Sequence, residues 1–134
     1  MQKLILNWLQ AKSVFKTLAW CATLIVVYLT LKTPRNTNKE WYFLFFRGDL
    51  VLHFVCYFSI AVIYCLAFFT YKFYLKKAFI YAFFLGLILE LLQLISFFQR
   101  HFDIQDLFAN LLGVSLGILF IHLLFSILSK NNSF

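Results

Sequence analysis

Charged side chains are scarce in this sequence. Only 13% of its 134 residues are Asp, Glu, Lys or Arg, whereas 63% are hydrophobic and the mean hydropathy is +0.86. A soluble domain is usually about half apolar and about one quarter charged. A soluble fold of this size could not hide 19 Phe, 7 Tyr and 3 Trp without large exposed apolar patches. The composition therefore excludes an ordinary water-soluble domain and predicts an integral membrane protein.

The patterns of several common sites are also missing. Cys21, Cys56 and Cys65 are odd in number, lie inside apolar runs and show no CxxC spacing, so neither a disulfide framework nor a zinc knuckle is indicated. There is no HExxH pair and no second histidine at ligand spacing, so we predict no metal and no cofactor. This holds although four residues are chemically capable of ligation, namely Asp49, His53, Glu90 and Asp106.

Four apolar runs are long enough to cross a bilayer, or nearly so. At about 1.5 Å rise per residue they match a hydrocarbon core of about 30 Å. They predict an all-α fold, a bundle of four transmembrane helices in a single domain over residues 1–134, with helices at about residues 17–31, 50–71, 78–98 and 106–128.

Two shorter segments need their own interpretation. The first run follows several lysines, which is the layout of a secretory signal peptide, but no A-x-A cleavage site follows it, and we expect a retained helix. The aromatic string at residues 41–46 is too short to cross. It predicts an interfacial helix or a re-entrant turn in the aromatic belt of the membrane.

The 12 basic residues lie between the apolar runs, which suits lipid headgroups and topology signals, and no nucleic acid is expected as a partner. With the N-terminus inside, the cytoplasmic side holds seven basic residues: Lys3, Lys12, Lys16, Lys72, Lys76, Lys77 and Lys130. The other side holds five: Lys32, Arg35, Lys39, Arg47 and Arg100. The excess favours both termini in the cytoplasm.

Nearly all acidic residues fall where helix ends should meet. Because successive helices alternate in direction, the start of the second, the end of the third and the start of the fourth must share one face of the membrane. Under the favoured orientation this is the outer face. The candidate polar cluster there comprises Asp49, His53, Glu90, Gln93, Arg100, Asp103, Asp106 and Asn110.

Helical spacing places these residues on stripes that continue into glycines. Gly86, Glu90 and Gln93 follow at i, i+4 and i+7, and residues 103–117 form a second stripe that ends in Gly113 and Gly117. Glycines on such stripes indicate close helix packing. Gly113 and Gly117 form a GxxxG step, through which an oligomer could also assemble.

Glu90 carries the strongest argument, because a bare carboxylate about two turns inside a span would cost several kcal/mol. It must be protonated or paired. We expect Arg100 and His53 as partners, with Gln93 and Asn110 supplying hydrogen bonds. Two roles remain open for this network: it joins three helices, or it lines a cleft for an anionic or polar headgroup.

The order and spacing of these residues resemble the VanZ-like membrane proteins of bacteria. The resemblance covers about residues 20–128. Its most specific part is Glu90-x2-Gln93, followed by Arg100-x-Phe102-Asp103-x2-Asp106-x3-Asn110-x2-Gly113-x3-Gly117, and Asp49-x3-His53 adds to it. Leu50 stands where the family often has Lys, and Phe98-Gln99 where it often has Pro-Gly.

The resemblance implies a protein of the bacterial inner membrane, and the founding member of the family is linked to teicoplanin resistance. We expect membrane lipids as partners and a non-enzymatic role, in which an outward polar cleft binds an envelope lipid, a lipid-linked intermediate or an amphiphilic glycopeptide. Two alternatives remain: a membrane-embedded enzyme with Glu90 or His53 as acid or base, and a purely structural or assembly protein.

Overall fold

Helices make up almost all of the fold. The computed structural model describes residues 12–32, 42–43, 46–95 and 103–130. Within these ranges the helices are α1 (Lys12–Leu31), α2 (Gly48–Phe68), α3 (Tyr74–Leu92) and α4 (Ile104–Lys130). Two strands of two residues each, β1 (Tyr42–Phe43) and β2 (Phe46–Arg47), precede α2. The predicted helical class and number of helices are confirmed.

Three of the four helices are long and apolar enough to cross a membrane by length and composition. They are Ser13–Leu31 within α1, Gly48–Phe68 and Ile104–Lys130. The remaining helix, α3, has 19 residues and carries three charged side chains, those of Lys76, Lys77 and Glu90. The prediction of membrane-spanning helices is therefore confirmed for three.

Several helix ends differ from the prediction. The third helix begins at Tyr74 rather than about residue 78, because Lys76 and Lys77 fit within its first turns, where long basic side chains can extend to the headgroups. It ends at Leu92 and continues as a turn through Ile95, not as a helix to residue 98. The second helix ends at Phe68, three residues before the predicted end.

The aromatic string is not helical where the structure describes it. Tyr42 pairs with Arg47 and Phe43 with Phe46 in an antiparallel hairpin that leads directly into α2. Of the two predicted forms, the interfacial helix is therefore wrong, and the re-entrant turn stays a prediction. Phe and Tyr favour extended backbone, and the paired strands satisfy backbone groups that a short isolated helix would leave open at its ends.

The core lies along α2, which packs most extensively against α4 and also contacts α1 and α3. Its buried side chains meet those of the neighbouring helices in one cluster, which includes Tyr57, Ile60, Ala61, Cys65, Ala78, Ala82, Leu89, Val114 and Ile121. Many large apolar side chains point outward instead, such as Trp20 at 71% exposure. A surface of this kind is suited to lipid.

The contact between α2 and α4 depends on two glycines. A Cβ atom at position 113 would lie 2.5 Å from the carbonyl oxygen of Phe54, and one at position 117 would lie 2.7 Å from that of Phe58. The two backbones therefore approach more closely than any side chain would allow. This glycine face packs against α2 within the chain, and the formation of an oligomer stays a prediction.

We expect Gly113→Leu to lower stability by about 3 kcal/mol, the upper part of the usual overpacking range, because its side chain would collide with backbone atoms that cannot rotate away. Thermal unfolding of the purified protein in detergent measures this. Ser115→Leu is the matched control, since Ser115 is exposed on the same helix and should change stability by less than about 0.5 kcal/mol. Equal effects of the two substitutions would contradict the packing argument.

Candidate functional site

Polar side chains from three helices meet at one end of the bundle. The start of α2, the last turn of α3 and the start of α4 lie together there, as contacts of His53 with both Glu90 and Asp106 show. We call the following set the polar cluster: Arg47, Asp49, His53, Glu90, Asp103, Asp106 and Asn110. It has an exposed outer layer and a buried inner layer.

The outer layer is organised by Arg47, the last residue of β2, which directly precedes α2. Its Nη2 lies 2.5 Å from Asp49 Oδ2 and its Nη1 lies 3.1 Å from Asp103 Oδ2. Nη1 also donates to Gln105 Oε1 at 3.2 Å. These hydrogen bonds, that with Asp49 foremost, raise the pKa of Arg47 above its usual value. The side chains of Arg47, Asp49 and Asp103 are 40%, 47% and 28% exposed, so solvent screens these pairs and each adds little stability.

Asn110 is at the centre of the inner layer. Its Nδ2 donates to Glu90 Oε1 at 3.3 Å, and its Oδ1 lies 3.0 Å from His53 Nδ1. His53 in turn lies 3.7 Å from Glu90 Oε1 through Nδ1, and 3.6 Å from Asp106 Oδ2 through Nε2. An amide oxygen can only accept, so a hydrogen bond to it requires a proton on Nδ1. One amide thus joins the side chains of α2 and α3 to α4.

Burial makes this layer costly, because Glu90 has 0% exposure and Asn110 and Asp106 are also buried. Three buried oxygen atoms have no hydrogen-bond partner among the described residues: Tyr57 Oη, Glu90 Oε2 and Asp106 Oδ1. An unsatisfied buried acceptor costs about 1–3 kcal/mol, more when charged. The inner layer therefore contains oxygen atoms that could still accept a hydrogen bond or bind a cation.

Gly86 makes room for the aromatic wall of the inner layer. A Cβ atom there would lie 3.0 Å from the Tyr57 ring and 3.5 Å from Asn110 Nδ2. Even an alanine would require the Tyr57 ring to shift by a few tenths of an ångström, whereas its contact with Asn110 would be an ordinary one. The glycine one turn before Glu90 thus lets α2 and α4 approach the carboxylate.

Gln93 does not have the side-chain partner that was expected. It is buried, but its Nε2 donates to the backbone oxygen of Thr30 in α1 at 3.3 Å, so the expected side-chain hydrogen bond from Gln93 to Glu90 is wrong. The reason is that α3 ends at Leu92, which places Gln93 in the turn beside the end of α1. Arg100 lies outside the described residues, and its pairing with Glu90 stays a prediction.

Arg47 is the residue that sequence reasoning missed. It was counted only as a topology signal, although the short spacing to Asp49 was a sign of a local pair. Its contact with Asp103, which is 56 positions away in the sequence, could not be predicted from any sequence pattern. Apart from Gln93 and Arg100, the residues of the predicted set lie in the polar cluster, and whether they bind anything stays a prediction.

An apolar groove lies in the other half of the bundle, where α1, α2 and α3 come together. Its volume is about 670 Å³, and its wall includes Lys16, Trp20, Tyr71, Tyr81 and Phe84. Thr23 and Tyr64, also in this wall, form a hydrogen bond of 2.6 Å between their hydroxyls. The groove is open and mainly apolar, so it differs in position and chemistry from the polar cluster.

Apolar helices that turn large side chains outward and enclose carboxylates and an amide at one end define an integral membrane protein. Comparison with known proteins agrees, since the VanZ/LLP1 family model matches residues 4–126. The chain belongs to this VanZ-like family. No curated protein and no solved structure matches it.

We expect Asn110→Leu to lower the free energy of unfolding by about 2 kcal/mol, because it keeps the branched shape of the side chain but removes both hydrogen bonds and leaves Glu90 Oε1 without its amide donor. Thermal or denaturant unfolding in detergent measures the change. Gln105→Leu also replaces an amide with leucine, at an exposed position of α4. It removes only an exposed hydrogen bond from Arg47 and should cost less than about 0.5 kcal/mol. An unchanged stability of Asn110→Leu would mean that the amide does not hold the inner layer together.

Proposed function

We propose that this VanZ-like membrane protein is a non-enzymatic component of the bacterial cell envelope. Its polar cluster binds the polar headgroup of an envelope lipid or lipid-linked intermediate, or the polar part of an amphiphilic glycopeptide antibiotic. In the second case it contributes to resistance of the teicoplanin type. Four helices cross the inner membrane, both termini are cytoplasmic and the polar cluster faces outward.

The observation that carries this proposal is the gradient of exposure across the polar cluster. The carboxylates of Asp49 and Asp103 are accessible at the end of the bundle, while Glu90 beneath them is fully buried. His53, with 11% side-chain exposure, lies in the inner layer between Glu90 and Asp106. A headgroup at the membrane surface would therefore meet pre-organised acceptors whose orientation is set by Arg47.

The charge balance indicates which headgroups suit this site. The polar cluster contains four carboxylates, and its single arginine already contacts two of them. Ligand groups that donate hydrogen bonds, such as sugar hydroxyls and ammonium groups, complement such a surface better than a bare phosphate does. Glycosylated lipid intermediates and glycopeptides both present groups of this kind.

The fourth membrane span is supported by chain connectivity. Arg47 contacts Asp103, and His53 contacts Asp106, so α2 and α4 both begin at the polar cluster. If both cross the membrane, the chain must return across it between them, and α3 is the segment that does so. Its 19 residues reach roughly 28 Å at 1.5 Å per residue, and Lys76 and Lys77 lie at its far end, where they can extend to the headgroups.

We expect Asp103→Asn and Glu90→Gln to weaken headgroup binding by about fivefold or more, equivalent to about 1 kcal/mol, because each removes a carboxylate from the acceptor surface. Native mass spectrometry of the purified protein in lipid nanodiscs measures this, with a glycosylated lipid in one arm and teicoplanin in the other. His122→Ala is the control, since His122 is an exposed residue toward the opposite end of α4.

The same variants, together with Arg100→Ala, are then compared for teicoplanin susceptibility in cells with and without the gene. Binding of the lipid alone would assign the site to envelope metabolism, and binding of teicoplanin with lost protection in the variants would assign it to resistance. The proposed function would be contradicted if neither the lipid nor teicoplanin bound and susceptibility did not change across the panel.

Orientation is tested by fusing green fluorescent protein to the C-terminus. Lys72, Lys76 and Lys77 lie at the end of the bundle away from the polar cluster, and an excess of basic residues marks the cytoplasmic side. We expect fluorescent cells, because this reporter folds in the cytoplasm, whereas an alkaline phosphatase fusion should be inactive there. The opposite pair of results would place the polar cluster on the cytoplasmic face.

A further inference from the structure

Three different helices each supply one possible metal ligand to the same point in the inner layer. His53 comes from α2, Glu90 from α3 and Asp106 from α4, and one ligand atom from each lies within 4.8 Å of the others. Because they come from separate helices, no local sequence motif marks them. Their convergence is a result of tertiary packing alone.

The same residues hold the unused acceptor atoms. Glu90 Oε2 and Asp106 Oδ1 are buried and have no hydrogen-bond partner among the described residues. The two side chains are 0% and 10% exposed, so water contributes little to their solvation. Two buried carboxylates within reach of one histidine favour a bound cation, since it would satisfy both oxygens and offset their mutual repulsion.

The orientation of His53 fits metal ligation. Asn110 Oδ1 accepts from Nδ1, which leaves the Nε2 lone pair of a neutral imidazole directed toward Asp106, 3.6 Å from its Oδ2. Two lone pairs at this separation repel unless a proton or a cation lies between them. Two ligands on one tetrahedral ion with bonds of about 2.1 Å are roughly 3.4 Å apart, close to the observed spacing. Asn110 would then act as the outer-shell residue that sets the tautomer.

We propose that His53, Glu90 and Asp106 bind one divalent transition-metal ion of the Zn²⁺ or Mn²⁺ class. One imidazole nitrogen with two carboxylates and no thiolate suits these ions, and the imidazole disfavours Mg²⁺ and Ca²⁺. The ion pairs of Arg47 are with Asp49 and Asp103 in the outer layer, and it forms none with Glu90 or Asp106. The site does not depend on whether the outer layer binds a headgroup.

The test uses the full-length protein, purified in detergent, stripped with a chelator and dialysed against Zn²⁺ or Mn²⁺. Elemental analysis should give one ion per chain, and Mn²⁺ should show the electron paramagnetic resonance spectrum of a bound rather than a free ion. Because the ion would bind the folded state, the unfolding temperature should rise with its concentration.

Isosteric variants locate the ion. Glu90→Gln and Asp106→Asn keep the size of each side chain, and each should weaken binding by at least about tenfold, the loss that changes to outer-shell partners alone can produce. His53→Ala should do the same, whereas the matched histidine control His122→Ala should bind like the wild type. Circular dichroism and gel filtration establish that each variant is folded.

Stoichiometric binding that all three variants weaken and the control leaves unchanged supports the site. The proposal is overturned if the wild type takes up neither ion, which would leave a proton between His53 and the carboxylates, or if the three variants bind as tightly as the wild type. Headgroup binding measured on chelator-treated protein separates the two proposals. Its persistence without an ion supports the proposed function and leaves the metal site to be decided by ion uptake alone.

Discussion

The enclosure of a carboxylate on a helix of a membrane bundle is the constraint on which the rest of this structure depends. Glu90 is fully buried, and a charge or even a polar group in that position is stable only with polar neighbours. Asn110 and His53 are those neighbours, and both belong to other helices. The carboxylate thereby determines which ends of α2, α3 and α4 must meet, and it gives the bundle two chemically different ends.

Glycine makes that meeting possible. The close contact of α2 with α4 at Gly113 and Gly117 brings the two helices together along a parallel path, so that their starting residues lie side by side. His53 can then reach Asp106, and Arg47 can reach Asp103. Gly86 serves the third helix in the same way, because it admits Tyr57 and Asn110 beside Glu90. Packing and polar chemistry therefore depend on each other. The glycines set how closely the helices approach, and this approach brings the polar side chains within contact distance.

The match to the VanZ/LLP1 family model covers the part of the chain that forms this arrangement. The matched region, residues 4–126, includes every residue of the polar cluster and all three helix-packing glycines. The outer pairs of Arg47 add little stability in water, because solvent screens them. In the function proposed above, this exposed layer is the surface that a ligand would reach.

Much of the fold could be predicted from the residues in order along the chain. Long apolar runs specify helices that can cross a membrane, because lipid requires every backbone group to be satisfied within the segment. The alternation of helix direction was enough to predict that Asp49, Glu90 and Asp106 lie at one end. Helix ends were less accurate, as at Leu92, because turns depend on local geometry that hydrophobicity does not report.

The sequence by itself thus determined the environment of the protein, its helical class and the end of the bundle at which its acids collect. Only the tertiary structure decided the individual partners: Arg47 with Asp103, Gln93 with Thr30 of α1, and His53 between two carboxylates from different helices. The physical reason is that periodicity sets the direction of a side chain from its own helix axis. How one helix is rotated and shifted along its axis relative to another depends instead on packing across many residues. In this protein three glycines contribute to that packing.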